Sequence, residues 1–181
     1  MPDHQAHINH TQNWISSVII AHLFCPFAKR EFDAGRLHYA VIERADLETQ
    51  LAGIIEQCAA LDHDLGRETS FVIFPDSLSE FDTYLDLLEL ANALLKDEGY
   101  EGIYQFASFH PKYRFDGAAE DDPSNYTNRS PYPMIHILRE ASVETALKRF
   151  PNPENIPARN IRVTQDLGLQ AVKALLDACY E

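Results

Sequence analysis

The feature that most constrains this chain is an alternation of short apolar runs with amphipathic helical stretches between residues 37 and 109. The apolar runs, Leu37 to Ile42, Ser70 to Phe74 and Gly102 to Phe109, have the length and composition of strands. Two helical stretches separate them, one beginning near Asp46 and one ending at Gly99. Because parallel strands need such crossover connections, this order predicts an α/β fold with parallel crossovers.

The rest of the chain extends this pattern at both ends. Met134 to Leu138 predicts a fourth strand, and a helix capped by Ser142 follows it. Upstream, apolar spacing predicts a helix from Thr11 to Phe24 and a short second helix closed by Gly35. The predicted fold class is α/β (or α+β), with a four-stranded, mostly parallel sheet flanked by helices.

The chain length suits a single core. We interpret residues 1–10 as a flexible tail and residues 11–181 as one α/β domain. Near the end of that domain, Gly168 lies within an otherwise helical stretch, which leaves either one helix or two.

Charge and the N-terminal sequence restrict the classes of partner and compartment. The formal net charge is −13, which repels nucleic-acid phosphates and anionic membrane surfaces, so we expect neither partner. No apolar run reaches the length of a spanning helix, and MPDHQAHINH lacks the features of a secretory signal, which predicts a cytoplasmic protein. The three cysteines are widely spaced and odd in number, as expected for reduced thiols.

One long segment lacks helical and strand periodicity. It runs from His110 to Pro133, whereas structureless loops longer than about 15 residues are uncommon in compact domains. Its aromatic side chains gain by burial, so we predict an ordered loop that folds back onto the sheet. Because it follows the carboxyl end of the third strand, where ligands bind in parallel sheets, we predict the ligand-handling surface between His110 and His136.

Residue types in this loop suggest chemical roles. His110 is the candidate acid or base, because an imidazole titrates near neutral pH. Asp121 is the candidate partner acid or nucleophile, and Arg129 offers a rigid fork that suits a carboxylate or phosphate. Three further polar residues are candidates for orienting the ligand: Asn125, Tyr126 and Ser130.

Each candidate also has a structural interpretation. His110 can simply end its strand, Asp121 can build a turn, and Arg129 and Arg139 can pair with some of the 28 acidic groups. We interpret His136, on one face of the fourth strand, as a hydrogen-bonded core histidine in preference to a catalytic group.

Cys25 is a second candidate nucleophile, outside the loop. A thiol at a helix N-terminus, with Lys29 and Arg30 one turn on, has reasons to ionise below the normal thiol pKa. The alternative, which we slightly favour, is a small apolar filler. His22 and Cys25 supply only half of a metal site, so we predict no structural metal, and a site drawing on His22, His110 or His136 is the weaker hypothesis.

Four motifs resemble those of one known family. They are CPFA at residues 25–28, QFASFHPKYRF at 105–115, DDPSNYTNRSPYPMIHILRE at 121–140 and NIPARNI at 155–161. Together they resemble the bacterial domain-of-unknown-function family fourteen-fifteen, over about Trp14 to Gly168. A small departure is Phe24, where that family is expected to have leucine. The resemblance implies a single cytoplasmic domain and brings no reaction, substrate or cofactor.

These observations leave two functional hypotheses. The first is an enzyme acting on a small anionic metabolite, held by Arg129 and attacked or protonated with the help of His110, Asp121 or Cys25. The alternative is a non-catalytic module that binds a metabolite or a protein through the same aromatic surface. A deep cleft that gathers the charged groups favours catalysis, and a flat aromatic patch favours a partner. Nothing in the sequence identifies a cofactor or an oligomeric state.

Overall fold

The computed structural model describes residues 4–181, and the alternation seen in the sequence forms two helical crossovers in it. The helices and strands in chain order are α1 (His4–Trp14), α2 (Ala28–Asp33), β1 (Leu37–Val41), α3 (Leu47–His63), β2 (Thr69–Ile73), α4 (Phe81–Asp97), β3 (Tyr104–Phe109), β4 (Met134–Arg139), α5 (Glu140–Arg149), α6 (Ile156–Leu167) and α7 (Leu169–Asp177). A π-helical stretch, Ile15–Ile20, continues α1, and short 3-10 turns occur at Pro123–Thr127, Pro153–Asn155 and Ala178–Tyr180.

The sheet order corrects the prediction of a mostly parallel sheet. The strands lie in the order β1-β2-β4-β3, with β1 and β2 parallel and β4 antiparallel to both of its neighbours. Strands β1, β2 and β3 therefore do run in one direction, as their helical crossovers predict. The prediction was wrong because β4 is reached by a loop without a helix and inserts, reversed, between β2 and β3.

Helices cover both faces of this sheet, giving three layers. On one face, α3 and α4 pack against a core that includes Ile54, Leu87 and Ile137. On the other face, α1 and its π-helical continuation pack against Phe71 and Met134. Two of the three cysteines, Cys58 and Cys179, are buried in these two clusters. None of the helices in the described part of the chain combines the length and apolar character that a bilayer crossing needs.

Helix α1 begins earlier than the sequence predicts. Residues 4–10, expected to lie in a flexible tail, are helical, and residues 1–3 lie outside the described residues. Burial of Thr11 and Trp14 anchors the last turn of α1, and Trp14 Nε1 donates to the Arg129 carbonyl at 3.0 Å. These tertiary contacts stabilise a helix whose own sequence carries little amphipathic signal.

Two other boundaries differ from the prediction or decide between its alternatives. Helix α5 begins at Glu140, directly after β4, so the predicted cap at Ser142 was wrong. The C-terminal region forms two helices, because Gly168 adopts a φ of 80° and a ψ of 160° that no helix continues through. Glycine takes this positive φ without the strain that a Cβ atom would add.

A clasp joins the motif at residues 155–161 to the turn that directly precedes the motif at residues 25–28. Arg159 in α6 donates to the carbonyls of His22 and Leu23 at 3.1 Å, and Asn160 Nδ2 donates to the Phe24 carbonyl at 2.7 Å. Leu23 has a φ of 55°, a strained value for a residue with a side chain. The charged hydrogen bonds of the clasp offset this strain and fix the turn that precedes Cys25.

We predict that Tyr84→Phe destabilises the protein. The buried Tyr84 hydroxyl donates to the Met134 carbonyl at 2.8 Å and accepts from the Phe109 amide at 3.1 Å. Its loss removes two buried hydrogen bonds to the backbone, which costs roughly 1–3 kcal/mol in the free energy of unfolding. Urea denaturation measures this change, with Tyr113→Phe, in a half-buried tyrosine of the same region, as the control. A loss no larger than that of the control contradicts the assignment.

Candidate functional site

The segment from His110 to Pro133, here called the edge loop, lies at the carboxyl edge of β1, β2 and β3. It begins where β3 ends and finishes where β4 begins, and Phe109 pairs with Met134 across this junction. Met134 also pairs with Ile73 at the end of β2. The edge loop therefore lies at the end of the sheet where ligands bind in open α/β folds.

His110 is completely buried, and both of its ring nitrogens are occupied. Nε2 lies 2.8 Å from the Leu78 carbonyl, and Nδ1 accepts from the Lys112 amide at 2.9 Å. These partners require the neutral ring with its proton on Nε2. The rings of Phe81 and Tyr84 pack at 5.2 and 5.1 Å, and burial is the main reason that the pKa of His110 is lowered.

The acceptor of this hydrogen bond belongs to a strained residue. Leu78, in the loop between β2 and α4, has a φ of 60°. A residue with a side chain persists in this conformation only where its surroundings hold it there, at a cost of about 1–3 kcal/mol. His110 supplies one such contact, so its imidazole joins the loop after β2 to the edge loop.

Asn125 organises the middle of the edge loop from a completely buried position. Its Oδ1 accepts from the Phe115 amide at 3.0 Å, and its Nδ2 donates to the carbonyls of Ala119 and Glu120 at 2.8 and 3.3 Å. All of these partners are backbone groups, which a buried loop must satisfy because it lacks the ladders of regular structure. The amide of Asn125 is therefore engaged within the loop.

Arg129 is fixed in place without a carboxylate. Nε donates to the Tyr113 carbonyl at 3.0 Å, Nη2 donates to the Glu120 carbonyl at 2.7 Å, and the guanidinium lies 4.6 Å from the centre of the Tyr126 ring. Within residues 4–181 no acidic side chain lies within ion-pair distance of Arg129, and Nη1 makes no hydrogen bond. Nη1 is also accessible to solvent. Among the side-chain nitrogen and oxygen atoms of residues 4–181, Nδ1 of His7 is the one that is both buried and without a hydrogen-bond partner, so Nη1, which has no partner, is not buried.

The remaining loop candidates differ in exposure. Ser130 is buried and donates to the Tyr132 carbonyl at 2.6 Å. Asp121 is exposed, and the turn-building role falls to its neighbour Asp122, whose carboxylate accepts from the Ser124 amide at 2.8 Å and caps the 3-10 turn. That hydrogen bond lowers the pKa of Asp122.

Cys25 lies in a different layer from His110. Its thiol packs against the core on the α1 face of the sheet, whereas the His110 ring contacts α4 on the opposite face. Helix α2 begins at Ala28, three residues after Cys25. Burial raises the pKa of this half-buried thiol, although the backbone amides of Phe27 and Ala28 hydrogen-bond to it and lower the pKa in part.

His136 has the structural environment that the sequence favours. Its Nε2 lies 2.8 Å from Thr69 Oγ1, and its ring stacks on Phe71 with the centroids 3.8 Å apart. Burial lowers the pKa of His136 to about 3, so the ring is neutral at physiological pH. The other histidine considered for a metal, His22, directs Nδ1 to the Val18 carbonyl at 3.2 Å. Across residues 4–181 no three His, Cys, Asp or Glu side chains are placed to hold a metal ion together.

Sequence reasoning missed the contribution of α1 to this edge of the sheet. His10 Nδ1 lies 2.7 Å from the Tyr132 hydroxyl, and the His7 ring meets the same tyrosine edge-on at 4.9 Å. Tyr180 closes the cluster by donating to the Pro131 carbonyl at 2.6 Å. The signal was present, since His4, His7 and His10 recur every three residues as on one helix face.

The arrangement brings Arg129 and Tyr126 together but does not gather a nucleophile and a base around them. His110 is engaged at both nitrogens, Cys25 lies across the sheet, and Asp121 faces solvent. Two concavities of the surface, of about 620 and 370 Å³, are both lined by residues outside the edge loop. What the edge loop can do chemically is offer the free end of a positioned guanidinium.

Comparison with known proteins identifies a family without an assigned activity. A family model described as a protein of unknown function (DUF1415) matches residues 6–174. No curated protein matches the chain, and no solved structure matches it.

The tautomer of His110 gives a direct test of its structural role. We predict that ¹⁵N NMR detects a neutral ring protonated at Nε2, and that it stays neutral as the pH falls below the usual histidine value of about 6.5. Because the unfolded chain binds this proton more readily, the stability contributed by His110 is present above about pH 6.5 and is lost as the pH falls towards its folded pKa. A ring that titrates at or above pH 6.5 contradicts this environment.

Cys25 is predicted to react slowly with alkylating agents. A raised pKa leaves little thiolate at neutral pH, so iodoacetamide modifies Cys25 in the folded protein no faster than it modifies a free cysteine. Mass spectrometry at successive times measures the extent of alkylation at each cysteine. The buried Cys58 and Cys179 serve as internal references. Labelling several-fold faster than that of free cysteine restores Cys25 as a candidate nucleophile.

Proposed function

The chain belongs to the DUF1415 family of proteins of unknown function, and we propose that it binds a small anionic molecule at the free end of the Arg129 guanidinium. One observation carries this proposal: in a chain with a net charge of −13, this guanidinium is fixed by two carbonyls and a ring and has no acidic partner in the described structure. A preorganised fork loses little conformational entropy when it binds. The ligand supplies the carboxylate or phosphate oxygen.

Within the proposal the edge loop acts by binding, without His110 or Cys25 as catalytic groups. A general base needs a free lone pair, and the lone pair of His110 already accepts the Lys112 amide. Ser130 and Asn125 position the backbone beside Arg129 in this scheme, and Tyr126 supports the guanidinium from below. A small ligand also suits the net charge, because a polyanion meets repulsion from the rest of the surface. A cytoplasmic location and the absence of nucleic-acid and membrane partners stay predictions of the sequence.

Thermal unfolding with a panel of phosphates and carboxylates tests the proposal. At about ten times its dissociation constant, a bound anion is expected to raise the melting temperature by roughly 3–5 °C. Arg129→Gln removes the donor and is expected to abolish this rise, whereas Arg129→Lys keeps the charge but loses the fork and retains a smaller rise. The control is Arg114→Gln, which removes an exposed arginine of the same loop.

The readout is the shift that each anion causes, because Arg129→Gln also removes two hydrogen bonds to carbonyls and lowers the melting temperature without any ligand. Isothermal titration calorimetry on the best anion then measures the affinity, which we expect to fall about tenfold or more in Arg129→Gln. Equal anion-induced shifts in Arg129→Gln and the parent protein would refute the proposal.

A further inference from the structure

A second surface, which includes no residue of the edge loop, lies on the helical layer formed by α3 and α4. A groove of about 620 Å³ runs between these two helices. Six apolar side chains line it: Leu47, Leu51, Ala52, Ile55, Ala59 and Leu94. Three glutamates complete the lining: Glu48, Glu56 and Glu98.

The floor of the groove is apolar although it faces solvent. Leu47 keeps 49% of its surface exposed, and Ala52 is also exposed. Ile54 and Cys58, which turn towards the sheet from the same helix, are completely buried. Leu51, Ile55, Ala59 and Leu94 are half-buried, so helix α3 has an inner apolar face that packs in the core and a second apolar strip that stays partly in contact with solvent. Apolar side chains that keep part of their surface in water gain free energy when another molecule covers them.

The rim of the groove is acidic. Glu48, Glu56 and Glu98 are exposed, and none of them forms an ion pair with another of the described residues. The nearby Lys96 instead pairs with Glu101, at 3.4 Å. On α3 the two rim glutamates stand eight residues apart, which corresponds to about 12 Å along a helix. This separation matches two turns of a partner helix that carries basic residues.

We propose that this groove binds a basic amphipathic helix of a partner protein. The apolar face of that helix packs on the apolar floor of the groove, as in helix-in-groove recognition. Its lysine or arginine side chains pair with Glu48, Glu56 and Glu98. A second copy of this chain is a poor occupant through the same face, because that pairing sets three glutamates against three in a chain of net charge −13. The proposal is independent of anion binding at Arg129.

The experiment uses two synthetic helical peptides of 15 residues with leucines three and four positions apart. One carries lysines on its remaining faces, and the other carries glutamates. Fluorescence anisotropy measures the affinity of each peptide for the 181-residue protein and for its variant Glu56→Lys/Glu98→Lys. The matched control is Asp86→Lys/Glu89→Lys, which changes the net charge equally at exposed positions of α4 outside the groove.

We expect the lysine peptide to bind the parent protein, more weakly as salt is added. In Glu56→Lys/Glu98→Lys we expect the affinity for the lysine peptide to fall roughly tenfold to a hundredfold and the affinity for the glutamate peptide to rise. The affinity of the control variant for the lysine peptide is expected to stay within about threefold of the parent value. Ala52→Gln, a neutral and longer side chain in the exposed floor, is expected to weaken both peptides. Amide shifts in ¹H–¹⁵N spectra should change along residues 47–59 and 94–98.

Equal weakening by the two charge-reversed variants overturns the proposal, because it indicates attraction to the acidic protein as a whole. Failure of the lysine peptide to bind overturns it as well. Sedimentation velocity tests whether a second copy of the chain occupies the groove. If the parent protein is a dimer and Ala52→Gln is a monomer, the groove is a dimer interface, and this result also contradicts the proposal.

Discussion

The hydrogen bond from His110 to the Leu78 carbonyl fixes the edge of the sheet on which the rest of the structure depends. It ties the loop after β2 to the loop after β3, so two of the three segments that leave the carboxyl edge are held together. Strand β4 lies between β2 and β3, and at its start Tyr84 joins the Met134 carbonyl to the Phe109 amide. A buried imidazole serves here because it offers a donor and an acceptor at opposite ends of one rigid ring.

Along the edge loop, too, single side chains satisfy several backbone groups. Buried Asn125 satisfies three backbone groups, and Arg129 satisfies two, so a long segment without regular structure carries few unpaired polar groups. Helix α1 adds contacts from outside through Trp14 and His10. The side chains of Asn125, Arg129 and Ser130 thus hydrogen-bond to the backbone of the loop itself. The Nη1 end of Arg129 differs from them because it makes no hydrogen bond within the described part of the chain.

Local periodicity predicted α3, α4 and the four strands, because each is encoded by the spacing of its own apolar residues. It did not predict the sheet order, since strand pairing is decided by contacts distant in sequence. One clue was available: Ile135 and Ile137 face one core while Met134 faces the other, as in a central strand covered on both sides. The spacing of apolar residues also did not place the start of α1, because Trp14 and His10 stabilise this helix through tertiary contacts.

The candidate site shows a similar limit. The sequence located the loop and its polar residues. It could not show whether a given histidine hydrogen-bonds to a backbone carbonyl or is free to bind a substrate. Only the positions of Leu78 and the Lys112 amide assign His110 to a structural role. Hydrogen exchange tests this account most directly at the amides of Lys112 and Phe115, held by His110 and Asn125. We expect these two amides to be protected as strongly as those of β3 and β4, whereas exchange at the rate of an unstructured peptide would show that His110 and Asn125 do not hold the edge loop.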